Sequence, residues 1–138
     1  MKINGKMIES QSEILQLISE GVNPLEYMEG DYDIDLVTKA VAHAESSEDP
    51  YFDDMAETLL KSIVYYLYAK DSETKSLKRC KEILDEVMNS SDRRAEMNNI
   101  LGDNESAKVL YKAIEIASDK TYNSIFDTLN EKLEKIIK

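Results

Sequence analysis

Residues 49–68 read DPYFDDMAETLLKSIVYYLY, and this stretch decides the fold. Asp49 is a favourable N-cap, and Pro50 suits the first helical position because its missing N–H would have no partner there. Apolar side chains then recur with the spacing of a core-facing helical stripe, at positions 52, 55, 56, 59, 60, 63 and 67. The last turns add Val64 and three tyrosines, so apolar and aromatic side chains point in nearly every direction. Such a helix is usually enclosed by other helices, which predicts a central long helix at about 50–70 in an all-α fold.

The composition indicates one intracellular domain. A length of 138 residues is enough for one domain with a real core. No apolar run approaches the roughly 18–20 residues of a transmembrane helix, and no signal-peptide pattern opens the sequence. The single cysteine, Cys80, excludes an internal disulfide and is typical of a reducing compartment, so we expect a cytoplasmic location. Cys80 lies on the apolar stripe of its helix, which predicts a buried structural thiol.

The charge is strongly acidic, with 28 acidic against 17 basic residues and a net charge of −11. Nonspecific nucleic-acid binding depends on a basic surface, and an acidic domain repels phosphate. The charge therefore favours a protein partner with a basic patch. A purely solubilising role for the acids is the alternative.

Six further helices are predicted from capping signals and apolar periodicity, at about 10–20, 33–45, 74–88, 92–101, 105–117 and from 119 or 121 to the end. Short connections between them predict a compact bundle of about six or seven helices, with neighbours packed against each other. The side chains that we expect to be almost fully buried are Leu59, Leu60, Ile63, Leu110, Ile114, Phe126 and Leu129. Asn4-Gly5 is a hairpin signal, although its arms are too short to be stable alone.

The sequence shows no catalytic, cofactor or metal site. Phosphate-binding, dinucleotide-binding and nucleophile-elbow motifs are all missing. Asp31, Asp33 and Asp35 begin like a calcium loop, but the sixth and twelfth positions of that loop fail to supply its glycine and glutamate. These acids are better placed to charge the start of a helix. His43 is the only histidine, and a catalytic or zinc site would need partners that the sequence does not supply.

Several segments together resemble a known family. They are Val22-Asn23-Pro24-Leu25-Glu26-Tyr27, the stretch 31–35 leading into a helix, Glu48-Asp49-Pro50-Tyr51-Phe52, and Lys120-Thr121-Tyr122-Asn123-Ser124-Ile125. In their order and spacing they are similar to the all-alpha domain of type IV secretion coupling proteins, the TraG/VirD-type conjugative DNA-transfer ATPases. The resemblance covers about residues 22–137. It rests on the shared order, because each motif is short.

The resemblance implies a noncatalytic receptor domain. The parent protein would be a membrane-anchored hexameric ATPase, but its nucleotide-binding domain and membrane helices have no counterpart here. We therefore expect residues 22–138 to be a substrate-recognition domain, itself a monomer, that recruits a relaxase, a relaxosome accessory protein or processed DNA to the secretion channel. Residues 1–21, with the short helix at 10–20, match nothing in the family and are a linker, divergent family sequence or sequence of other origin.

The acids around the entrance to the central helix are the predicted partner-binding residues. They are Glu45, Glu48, Asp53, Asp54 and Glu57, which we place on the outward side of the apolar stripe. Two other functions stay open. One is a free-standing acidic helical adaptor or DNA-mimic protein. The other is a small helical hydrolase, which would need two acids and a metal converging in one pocket, an arrangement that no helical spacing here predicts.

Overall fold

Seven α-helices and one short hairpin make up residues 1–137, the part of the chain that the computed structural model describes. The elements are β1 (Lys2–Ile3), β2 (Lys6–Met7), α1 (Gln11–Ser19), a 3₁₀ turn (Pro24–Tyr27), α2 (Asp31–Ala42), α3 (Pro50–Ala69), α4 (Leu77–Met88), α5 (Arg93–Leu101), α6 (Glu105–Glu115) and α7 (Asp119–Ile136). The predicted compact all-α bundle is confirmed. None of the helices within these residues combines the length and the apolar character needed to cross a membrane.

Local capping chemistry fixes where several helices begin. The Asp49 side chain accepts a hydrogen bond from the Tyr51 N–H at 2.9 Å, and Pro50 opens α3 as predicted. Ser10 and Glu13 form the expected capping box at the start of α1. The start of α2 differs from the prediction, because the helix begins at Asp31 and places two aspartates in its first turn. Negative charge is favourable in the first turn of a helix, so these aspartates stabilise the earlier start of α2.

The central helix α3 packs against four other helices, α2, α4, α6 and α7. Leu59, Leu60, Ile63, Val64 and Leu67 are all buried along it. The predicted burial of Ile114, Phe126 and Leu129 is confirmed as well. The core is thus one contiguous cluster around α3.

The prediction for Leu110 is wrong. Leu110 is only partly buried, whereas its neighbour Tyr111 is 1% exposed. The inward stripe of α6 therefore runs through Ala107, Tyr111 and Ile114. The Tyr111 hydroxyl lies 2.8 Å from the Tyr122 hydroxyl of α7, and this buried hydrogen bond holds α6 in that rotation.

The first residues of the chain join the same core. Asn4 and Gly5 have φ angles of 52° and 81° and connect β1 to the antiparallel β2, as the hairpin signal predicts. Ile3, Ile8 and Ile14 are all at most 2% exposed and belong to the central apolar cluster. The boundary at residue 21 stays a prediction.

Candidate functional site

The corner between α2 and α3 carries a run of acidic residues. Between Lys39 and Lys61 the chain has six acidic residues and no lysine or arginine. We call residues 43–57 the acidic corner. Most of its acids are exposed, and Tyr51 presents an aromatic ring beside them with 45% exposure.

His43 lies at the inner edge of this corner, where its backbone N–H caps the end of α2 by bonding to the Lys39 carbonyl. Its Nε2 atom is 2.8 Å from Glu57 Oε1 and 3.7 Å from Asp54 Oδ1. Asp54 and Glu57 face the same side of α3 because residues three apart are neighbours on a helix. We call these three residues the His43 cluster.

Lys61 orients Glu57 within the His43 cluster and is itself held by Asp35. Lys61 Nζ is 3.4 Å from Glu57 Oε2 and 2.8 Å from Asp35 Oδ1 of α2. Burial lowers the pKa of Lys61, but the hydrogen bond to Asp35 and the adjacent carboxylates raise it above its usual value. The hydrogen bond from Lys61 likewise lowers the pKa of Asp35, so this pair stays charged at neutral pH. One oxygen of Glu57 is thereby held by Lys61, and the other faces His43.

An open depression of about 600 Å³ adjoins the cluster. Its lining residues are Gln11, Lys39, His43, Asp54, Glu57 and Thr58. Asp54 is the most accessible of the three cluster members, with 73% of its side chain exposed, whereas the Glu57 side chain is 14% exposed. A small ligand or a water molecule can therefore reach the cluster from solvent.

The prediction that Asp53 lies on the outward side of α3 is wrong. Its residue exposure is 4%, and its Oδ1 atom is 2.8 Å from Lys132 Nζ of α7. Both of its carboxylate oxygens also accept from the Ser47 N–H at 3.1 Å. Position 53 precedes Ala56 and Leu60 by three and seven residues, so it continues the buried stripe into the first turn of the helix.

The connection before α3 is held from the other side by α7. Lys132 Nζ donates to the Glu45 carbonyl at 2.8 Å, and Lys135 Nζ is 2.8 Å from the exposed Glu45 carboxylate. The hydrogen bond from Lys135 lowers the pKa of Glu45. Glu48 is exposed near the tip of the connection. Glu45, Glu48 and Asp54 therefore remain accessible, while Asp53 is enclosed and Glu57 is largely covered.

The His43 cluster was not predicted from the sequence. The partners of His43 lie on the next helix and approach it only through tertiary packing. The i,i+3 spacing of Asp54 and Glu57, after a short connection from His43, was the one available signal. The three aspartates of α2, in contrast, have separate partners. Asp31 accepts from the Tyr65 hydroxyl, Asp33 from the Glu29 N–H, and Asp35 from Lys61.

Neither a family model, nor a curated protein, nor a solved structure was found to match this chain.

Proposed function

We propose that this chain is a noncatalytic substrate-recognition domain of a conjugative type IV secretion coupling protein. In this proposal it recruits a relaxase, or an accessory protein of the relaxosome, to the secretion channel. The observation that carries it is the acidic corner, where exposed carboxylates and the exposed Tyr51 lie in the same short segment. Tyrosine is enriched among the residues that contribute most of the binding energy at protein interfaces. Neighbouring acidic residues favour a partner with a basic surface.

The segments that resemble the family have structural roles that support the proposal. Asn23 caps the 3₁₀ turn through the Leu25 N–H at 3.2 Å and donates to the Lys75 carbonyl at 2.8 Å. The Tyr68 hydroxyl of α3 donates to the carbonyls of Leu25 and Met28. This short motif therefore joins the turn both to the central helix and to the segment before α4.

Two of the other three segments also stand at structural transitions. Asp49 and Pro50 begin α3, and Lys120 to Ile125 form the first turns of α7, where Tyr122 and Ile125 are buried. Residues that set helix starts and core contacts are those that a shared fold would require. Their order along the chain is thus consistent with a common architecture.

The acidic corner defines the kind of partner that the domain would accept. Glu45, Glu48 and Asp54 are exposed, so they can attract a basic protein surface during association. The same charges repel a phosphate backbone, so we expect the domain to bind naked DNA more weakly than a basic protein. We exclude Asp53 from the contact surface because its carboxylate is buried and paired with Lys132.

The test compares binding of the relaxase encoded by the same genetic element with binding of an unrelated relaxase and of single-stranded DNA. Biolayer interferometry over a range of salt concentrations measures association and dissociation separately. A triple variant, Glu45→Gln, Glu48→Gln and Asp54→Asn, should slow association with the cognate relaxase and reduce its salt dependence. The matched control changes three exposed acids elsewhere, Glu26→Gln, Asp71→Asn and Asp103→Asn, and should bind like the unmodified domain.

Two results would overturn the proposal. One is equal binding of the cognate and unrelated relaxases, which would instead favour a general acidic adaptor or DNA mimic. The other is tight, salt-resistant binding to naked DNA.

The proposal that the domain is noncatalytic has its own test, because the sequence has no loop whose backbone N–H groups could wrap phosphates. Isothermal calorimetry with ATP and Mg²⁺ should show no saturable heat, and saturable binding would contradict that part.

A further inference from the structure

We propose that His43, Asp54 and Glu57 bind a first-row transition-metal dication, with Zn²⁺ as the preferred probe. One imidazole nitrogen and two carboxylate oxygens from these residues all lie within 4.8 Å of one another. This site shares Asp54 with the proposed contact surface, but metal binding requires no partner protein and is tested without one.

The spacing of the donor atoms suits one ion. Zinc binds histidine nitrogen and carboxylate oxygen at about 2.0–2.2 Å, so neighbouring ligands of a tetrahedral site are about 3.3 Å apart. The distances from His43 Nε2 to Glu57 Oε1 and to Asp54 Oδ1 are 2.8 Å and 3.7 Å, one shorter and one longer than that separation. Small rotations of the exposed Asp54 side chain and of the partly exposed His43 ring can therefore bring both distances towards that value, without movement of α3.

The charges of the three side chains suit a divalent cation. Two carboxylates and a neutral imidazole together balance a charge of +2. The metal would occupy the space between His43 Nε2 and Glu57 Oε1, where the free cluster has a hydrogen bond. Lys61 contacts the other oxygen of Glu57, so it acts as an orienting group behind the ligand and leaves Oε1 directed at the ion.

The donor set also indicates the class of metal. Mg²⁺ and Ca²⁺ prefer all-oxygen sites, whereas an imidazole with two carboxylates suits Zn²⁺, Co²⁺ or Ni²⁺. Three protein ligands leave one position for water, and the open depression beside the cluster gives water access to it. Lys39 lines the same depression, but its ammonium is engaged by Asp35 at 3.5 Å. The helical frame of α3 fixes two of the three ligands relative to each other.

The first experiment is titration of the chelator-treated chain with ZnCl₂ by isothermal calorimetry at pH 7.5. We expect one saturable site that weakens as the pH is lowered, because metal ligands bind in their deprotonated form. His43→Gln, which keeps a side chain able to hydrogen-bond Glu57, should weaken Zn²⁺ binding at least tenfold, as should Asp54→Asn. Asp49→Asn is the matched control, an exposed acid of the same corner outside the cluster, and should change the affinity by less than twofold.

The second experiment needs no variant. Because His43 is the only histidine, its imidazole gives a single set of ring signals in the NMR spectrum. One equivalent of Zn²⁺ should shift those signals, and Co²⁺ should broaden them strongly. The proposal is overturned if millimolar Zn²⁺ gives no saturable heat, if the ring signals do not respond, or if Asp49→Asn weakens binding as much as Asp54→Asn.

Discussion

The buried ion pair between Asp53 and Lys132 gives the most decisive test of the fold. The perturbation is Asp53→Asn, which keeps the shape of the side chain and its ability to accept from Ser47 but removes its charge. The two side chains are 6% and 9% exposed, so Lys132 would then be a nearly dehydrated cation without its ion-pair partner. Its hydrogen-bond partners in the described residues would be the neutral Glu45 carbonyl and, at best, the new amide.

The expected loss follows from that environment. Removing one partner of a buried ion pair typically costs about 3–5 kcal/mol. The lower end applies here, because the new amide oxygen can still accept from Lys132 and from the Ser47 N–H. We therefore expect a decrease of about 3 kcal/mol in the free energy of unfolding. The double variant Asp53→Asn, Lys132→Met removes the stranded cation, so it should lie within about 2 kcal/mol of the unmodified protein.

The assay is urea unfolding followed by circular dichroism, with the exposed Glu131→Gln of α7 as a control that should change stability by less than about 0.5 kcal/mol. The pH dependence provides a second readout. Burial raises the pKa of Asp53, but the hydrogen bonds from Lys132 and Ser47 outweigh it and hold the pKa below its ordinary 3.8. The stabilisation is then complete above pH 3.8 and is lost as the pH falls through the lower folded-state value. The difference between the single variant and the unmodified protein should shrink in that range.

Two outcomes would refute this reasoning. A loss below about 1 kcal/mol for Asp53→Asn at neutral pH would mean that Lys132 is solvated or finds another anion. A double variant whose loss equals the sum of the two single losses would mean that the two residues do not interact.

Three further predictions concern the core. Leu60→Ala should lower the free energy of unfolding by about 2–5 kcal/mol in urea, because Leu60 is fully buried in α3; a loss below about 1 kcal/mol would contradict that burial. Burial raises the pKa of Cys80 to about 12, so its thiol should react with Ellman's reagent at pH 8 only after unfolding, and rapid reaction of the native chain would contradict the packing. Burial and the Asp31 contact raise the pKa of Tyr65 to about 12, and burial raises that of Tyr111 well above its usual value. Because the folded state favours the neutral phenols, their stabilisation is complete below about pH 10 and lost above it. Tyrosinate absorbance should then rise together with alkaline unfolding, and a native chain that ionises all eight tyrosines near pH 10 would exclude this.

The helices could be predicted from sequence because their signals are local. Asp49 with Pro50, and Ser10 with Glu13, satisfy backbone groups within the first turn of their own helix, so no distant contact is needed to place them. The rotation of α6 about its own axis could not be predicted from local signals. Both Leu110 and Tyr111 fit an apolar stripe with Ala107, and the Tyr122 hydroxyl on α7 selects between them.

The candidate site was predicted less well, because its contacts are tertiary. Lys132 neutralises Asp53 from a helix far along the chain, and no spacing in the sequence pairs them. His43 meets Asp54 and Glu57 only because the connection before α3 folds back on α2. The run of acids before and within α3 could be read from the sequence, but which of these acids face outward depends on packing that a one-dimensional pattern does not contain.

The position of α3 has a consequence for how the domain opens. Because α2, α4, α6 and α7 all pack on this one helix, the amides in its middle are shielded by four separate partners. Detaching any one of them would leave the other three in place, so local fluctuations should not expose the Leu60 or Ile63 amides to solvent. These amides should exchange with deuterium only when the whole domain unfolds, and their exchange rates would then report the global stability directly.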